Sequence, residues 1–288
     1  MKTLATLTLL TTALYAAPAA AEPDAKATYK DIEKTLGLVP TFFKAFPEHG
    51  IAAAWDELKS VQLNPKTALS TKAKELIGLA VAAQVPCRYC VYFHTQIAKL
   101  GGASEGERKD AVAMAAITRH WSTVLNGTQI DLAEFKQEVT RIVAYVKRPT
   151  SKEVPAPVTD AASAYKDIEH TLGLVPTFLR RFPETGIAAA WRELKSVQLN
   201  PKSPLDGKTK ELIGLAVAAQ VPCQYCVVFH TEAAKLNGAT DQEIREAVAM
   251  AAITRHWSTV LNGSLIDETQ FRKEVDQIVA NAKRAVKR

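Results

Sequence analysis

Several absences narrow what this chain can be. Cysteine occurs four times, and all four fall within two short segments, so any thiol chemistry is confined to two places. No stretch alternates apolar and polar residues with a period of two, which argues against a sheet. Beyond the first 21 residues no run approaches twenty uninterrupted apolar positions, so no later segment reads as a membrane span. Basic runs are also missing, apart from the short end Lys283-Arg284-Ala285-Val286-Lys287-Arg288. The formal charge of +6 is spread along amphipathic segments and reads as solvated surface rather than a nucleic-acid interface. No motif implies a metal, flavin or haem cofactor.

What is present suits a globular protein. With 47% hydrophobic and 23% charged residues, the 288-residue chain can bury sizeable cores, and its length fits two domains. Its beginning differs from the rest. Lys2 precedes an apolar run from Leu4 to Tyr15, and Ala19-Ala20-Ala21 offers small residues before Glu22. This pattern predicts a signal peptide over 1–21 and export, with the periplasm as compartment and no stable membrane insertion after cleavage.

A shift of 136 positions lays the chain on itself without gaps. Tyr29 falls on Tyr165, Trp55 on Trp191, Glu75 on Glu211, and His120 on His256. About seven positions in ten agree between 28–148 and 164–284, so one domain has been duplicated in tandem. Lys74 to Cys87 and Ala111 to Gly127 are repeated without change. The expected domains are 22–148 and 164–288, joined by a linker over 149–163 that opens as Pro149-Thr150-Ser151-Lys152-Glu153-Val154-Pro155-Ala156-Pro157. Fifteen extended residues reach roughly 50 Å, enough for the copies to pack face to face as a pseudo-dimer.

Each copy reads as about six helices, giving an all-α protein. Ile51, Trp55 and Leu58 recur at helical spacing up to Asn64-Pro65. Ser70, or Asp206, serves as an N-cap for the next helix, which Val85-Pro86 breaks. Pro86 is expected to open the following helix. Ser104 with Glu107 and Thr240 with Glu243 form capping boxes, and Asp131 with Glu134 and Asp267 with Gln270 suggest two more.

The helix after the proline carries the chemistry. Cys87, Cys90 and His94 in one copy, and Cys223, Cys226 and His230 in the other, fall on one helical face. Cysteines three apart on a helix have Cα atoms about 5 Å apart, within disulfide range. A thiol in the first turn is favoured as thiolate, and the histidine one turn later can take its proton. Glu75 and Glu211, in otherwise apolar segments, are the best-placed carboxylates to orient that histidine. Zinc binding and a purely structural staple remain open from these residues alone, though a zinc site wants four ligands and so small a loop restrains little of the unfolded chain. Tyr89, His120, Tyr225 and His256 are possible relay or pocket residues.

Glu75, Cys87, Cys90 and His94, repeated as Glu211, Cys223, Cys226 and His230, resemble the Glu…Cys-x-x-Cys-x-x-x-His signature of the AhpD-like alkylhydroperoxidases in the carboxymuconolactone decarboxylase superfamily. The resemblance implies a thiol-dependent peroxidase, not a member of the decarboxylase branch. Cys90 or Cys226 would attack the peroxide, Cys87 or Cys223 would close the disulfide, and the Glu–His pair would relay protons. An unidentified thiol reductant would reopen the bond. Where family peroxidases often carry a histidine before the second cysteine, this chain has Tyr89 and Tyr225. Protein thiol-disulfide exchange and a non-enzymatic redox-sensing or binding module are the rival readings. Self-association through helical interfaces, as a trimer of pseudo-dimers, is also implied.

Overall fold

The computed structural model describes residues 24–148 and 156–286. The expected signal at 1–21 and the first seven linker positions, 149–155, lie outside the described residues. Among the described residues the protein is all-helical. The first repeat holds α1 (Ala25–Leu36), α2 (Thr41–Lys44), α3 (Glu48–Val61), α4 (Thr71–Gln84), α5 (Arg88–Leu100), α6 (Glu105–Gly127) and α7 (Leu132–Val146). The second repeats them as α8 (Ala161–Leu172), α9 (Thr177–Arg180), α10 (Glu184–Val197), α11 (Gly207–Gln220), α12 (Gln224–Leu236), α13 (Asp241–Gly263) and α14 (Glu268–Val286).

Local chemistry sets the ends of these helices. Ser70 Oγ accepts the Ala73 amide and Asp206 Oδ1 accepts that of Thr209. Ser104–Glu107 and Thr240–Glu243 close as reciprocal capping boxes. At Asp131 and Asp267 only the cap half forms, because Glu134 reaches Thr177 Oγ1 and Gln270 reaches Glu274 instead. Among the described residues each repeat has seven helices, where about six are expected. The extra one, α2 or α9, is four residues long, too short to show a period. Its first turn is capped from the opposite repeat: Glu274 accepts the Thr41 amide at 3.0 Å, and Glu138 accepts that of Thr177 at 2.9 Å. Pro86 does not open α5; Cys87 is its N-cap. The linker ends three residues early, since α8 begins at Ala161 on the N-cap Asp160.

The packing joins the repeats through their interiors. Lys74 to Ala82 on α4, and Lys210 to Ala218 on α11, are buried without interruption, as expected of helices that are apolar nearly all round. These two helices meet at the centre with α6 and α13. Leu76, Ile77, Ala80 and Met114 pack there with Leu212, Ile213, Ala216 and Met250. Two outer lobes are crossed between repeats. Ile253, Trp257 and Leu261 of α13 and Phe271 of α14 pack with Phe42, Phe43, Trp55, Cys87 and Cys90 of the first repeat. Conversely, Ile117 and Trp121 of α6 join Leu179, Ile187 and Trp191, while Phe135 and Val139 of α7 join Cys223 and Cys226. This explains the two unchanged blocks: both Lys74–Cys87 and Ala111–Gly127 pack against the opposite repeat as well as their own.

Candidate active site

A hairpin of α4 and α5, closed at Val85-Pro86, builds the site. The Cys87 amide donates to the Ala82 carbonyl at 3.0 Å and turns the chain back, so that α5 returns along α4. Cys87 and Cys90 are joined as a disulfide with Cα atoms 5.3 Å apart, as are Cys223 and Cys226. Cys87 Sγ accepts the Cys90 amide at 3.2 Å, and Cys223 Sγ accepts that of Cys226 at 3.3 Å. Both sulfur pairs therefore sit where unpaired helix amides favour thiolate when the bond is reduced.

The hairpin also brings carboxylate and imidazole together. His94 Nδ1 lies 2.7 Å from Glu75 Oε2, and His230 Nδ1 lies 2.7 Å from Glu211 Oε2. Glu75 and His94 are 0% and 4% exposed, so water does not compete for this contact. Gly78 makes the approach possible, because a Cβ there would collide with the His94 ring, and the same holds for Gly214 and His230. Gln62 Nε2 donates to the other oxygen, Glu75 Oε1, at 3.0 Å, and Gln198 does so to Glu211 at 3.0 Å. With both carboxylate oxygens accepting, the imidazole proton belongs on Nδ1 and the lone pair on Nε2. That nitrogen faces Thr254 Oγ1 at 3.5 Å, and His230 Nε2 faces Thr118 Oγ1 at 3.4 Å.

Beside Lys74's neighbour Glu75, the buried Lys74 donates to the carbonyls of Val61 and Asn64 at 2.8 and 2.6 Å and to Thr67 Oγ1 at 2.9 Å. Burial pushes its pKa down, and the same is true of Lys210. These lysines pin the loop after α3 and so hold Gln62 or Gln198 over the carboxylate.

A cavity of about 40 Å³ opens onto Cys90 and His94. Phe42, Leu58, Gln62 and Phe93 come from the first repeat, and Ile253, Thr254, Trp257, Leu261 and Phe271 from the second. The second cavity, also about 40 Å³, exchanges the roles, with Phe178, Leu194, Gln198, Cys226, Phe229 and His230 facing Ile117, Thr118, Trp121, Leu125 and Phe135. All eleven lining positions of one cavity have the same residue type at the 136-shifted position in the other, although about three positions in ten differ over the repeats. Such a volume admits a head group of roughly two or three heavy atoms. Its walls are apolar except at Gln62, Cys90, His94 and Thr254.

The remaining expected residues lie elsewhere. Tyr89 does not line the cavity; its hydroxyl donates to the Ile266 carbonyl at 2.6 Å, and Tyr225 donates to that of Ile130 at 2.5 Å. Each ties a thiol helix to the opposite repeat. His120 is exposed and stacks edge-on against Trp121 at 4.9 Å, while His256 packs on Phe46 and Trp257 at 5.3 and 5.1 Å. Neither is among the lining residues. Gln62, Gly78, Thr118 and their counterparts were not singled out by sequence reasoning. Their one signal was that Gly78 and Thr118 sit inside the unchanged blocks. Among the described residues no group of three or more His, Cys, Asp or Glu is placed to hold a metal ion.

Comparison with known proteins agrees with this architecture. The carboxymuconolactone decarboxylase family matches residues 49–130 and 186–266, once in each repeat. An uncharacterized protein in the cox locus of Paracoccus denitrificans is 43% identical over 51 residues, which are 18% of this chain and 46% of that protein, less than half its length. A crystal structure from Burkholderia xenovorans, named as a gamma-carboxymuconolactone decarboxylase subunit, aligns over 92% of this chain and 99% of its own with a TM-score of 0.54. At 17% identity that likeness concerns the fold alone.

Proposed function

The chain belongs to the carboxymuconolactone decarboxylase family, and from that premise and its site geometry we propose that it is a thiol-dependent peroxidase of the AhpD-like kind with two sites. The observation that carries this reading is His94 on the wall of the cavity onto which Cys90 opens, backed by the buried Glu75 and duplicated as His230, Cys226 and Glu211. A staple has no use for a desolvated base aimed into a cavity.

In the reduced protein, the Cys90 thiol gives its proton to His94 Nε2, and Glu75 stabilises the resulting imidazolium. The thiolate attacks the terminal oxygen of the hydroperoxide, forming an S–O bond as the O–O bond breaks. The histidine returns the proton to the departing alkoxide, which leaves as an alcohol. The Cys87 thiol then attacks the Cys90 sulfenic acid, forming the disulfide and releasing water. The disulfide form described above is the oxidised end of this cycle. A dithiol donor closes it by becoming a disulfide itself.

Burial favours this reading over exchange with proteins. Cys87 is 0% and Cys90 4% exposed, so a folded or extended polypeptide cannot bring its own sulfur into line, whereas a small peroxide enters from the cavity. With the signal pattern at 1–21, we place the enzyme outside the cytoplasm, where it depends on a dedicated electron donor. The test is peroxide consumption with a small dithiol. The Cys90→Ser, Cys226→Ser protein should show only background; turnover at the unmodified rate overturns the assignment.

A further inference from the structure

We infer that Thr254 and Thr118 are positioning residues for the histidine of the opposite repeat, and that they hold it in both of its protonation states. This rests on the reading of His94 and His230 as the bases of the thiol reaction. Thr254 on α13 is 2% exposed, and its hydroxyl meets His94 Nε2; Thr118 on α6, also 2% exposed, meets His230 Nε2.

The orientation of these hydroxyls is specific. A threonine inside a helix ordinarily bonds back to the carbonyl four residues earlier. Thr123 and Thr259 do so on the same two helices, donating to Arg119 and Arg255 at 2.9 and 3.0 Å. Thr118 and Thr254, one and a half turns away, turn to the imidazole instead. Each is thereby the one hydroxyl that the opposite repeat contributes to the cavity lining.

A hydroxyl is suited to a nitrogen whose proton comes and goes. It donates to the lone pair of a neutral imidazole and, after rotating, accepts from the N–H of an imidazolium. Neither a lysine nor a carboxylate could serve both states. In the disulfide form the ring carries no proton from Cys90, and the contacts of 3.5 and 3.4 Å are longer than an ordinary hydrogen bond, so the hydroxyl lies beside Nε2 without binding it tightly. When the Cys90 proton moves to Nε2, the bond becomes charge-assisted and stronger. The hydroxyl therefore favours the imidazolium–thiolate pair and lowers the apparent pKa of the attacking thiol.

The experiment uses the full reduced chain and needs no peroxide. Alkylation by iodoacetamide is followed across pH 5–9, with each cysteine read separately by peptide mass spectrometry. In Thr254→Val the profile of Cys90 should move up by about half to one pH unit, slowing alkylation about three- to tenfold below it. Cys226 should be unmoved, and Thr254→Ser should restore Cys90. Thr118→Val should shift Cys226 and spare Cys90. An unmoved Cys90 profile in Thr254→Val, or a serine variant shifted as far as valine, overturns the inference. Should valine disturb folding, Thr254→Ala against Thr254→Ser gives the same contrast. Loss of the peroxidase reading would appear as absent turnover with these profiles intact.

Discussion

Gly78 lies against the imidazole of His94, and the missing side chain is what lets a ring on α5 reach a carboxylate on α4. The glycine sits one turn after Glu75 in the middle of a buried helix, where alanine is normally better by about 1 kcal/mol. Gly78→Ala should therefore invert the usual result. The added Cβ must push the ring aside, lowering thermal stability and cutting peroxide turnover at that site by at least about tenfold. Measured in a Cys223→Ser, Cys226→Ser background, a more stable protein of full activity would count against the close approach.

Glu75→Gln preserves shape while removing the charge that fixes the histidine tautomer and steadies the imidazolium. General-base assistance contributes about 10²–10⁴-fold, so turnover at the first site should drop by about 10²-fold or more. Circular dichroism should remain that of the parent. A fall of less than about threefold would mean that the carboxylate only packs.

Tyr89 is a strut to the Ile266 carbonyl, so Tyr89→Phe separates anchoring from proton transfer. Loss of the hydroxyl should cost about 1–3 kcal/mol by leaving a carbonyl underserved. The pH profile of turnover should keep its shape, with the rate within about twofold. A displaced acid or basic limb would give the phenol a place in the relay.

Trp257 walls the first cavity although it belongs to the second repeat, packing on Phe43 at 5.0 Å and Phe42 at 5.4 Å. Trp257→Ala should destabilise the protein by about 3–5 kcal/mol. It should impair the Cys90 site more than the Cys226 site. Peptide-resolved oxidation by a limiting amount of peroxide gives the ratio; equal impairment would contradict the crossed walls.

Acid should loosen the join between repeats. Glu246 of α13 accepts the amides of Ala68 and Leu69 at 2.8 Å each. Burial raises its pKa, but those two amides, Gln242 and Thr67 outweigh burial and hold it below the ordinary carboxylate value. A depressed folded-state pKa means the contribution is complete above the unfolded value and is lost as pH falls through the folded one. Urea melts should thus weaken below about pH 4, and Glu246→Gln should flatten that dependence. An unchanged slope would place the acid sensitivity elsewhere.

Much of this arrangement is legible in the residues themselves. The duplication follows from laying the chain on itself, and helices, caps and the Glu–Cys–Cys–His set follow from periodicity and spacing within one repeat, because those features are local. Thr118 and Thr254 are not legible, since nothing local states that α6 and α13 face the other repeat's histidine. Gln62 looks like an ordinary helix end until Lys74 is seen pinning the loop beyond it. Tyr89 occupies a motif position and invites a catalytic role, yet its hydroxyl is spent on a carbonyl 177 residues away. The short α2 escapes because four residues carry no period.

The crossed walls also bear on how the protein responds to dilution. A cavity closed by a helix from a separate polypeptide would open as concentration fell and the partner was lost. Here the covering helix belongs to the same chain, so its supply at the cavity is intramolecular and does not fall on dilution. Activity per chain at each cavity should thus be indifferent to how scarce the protein becomes.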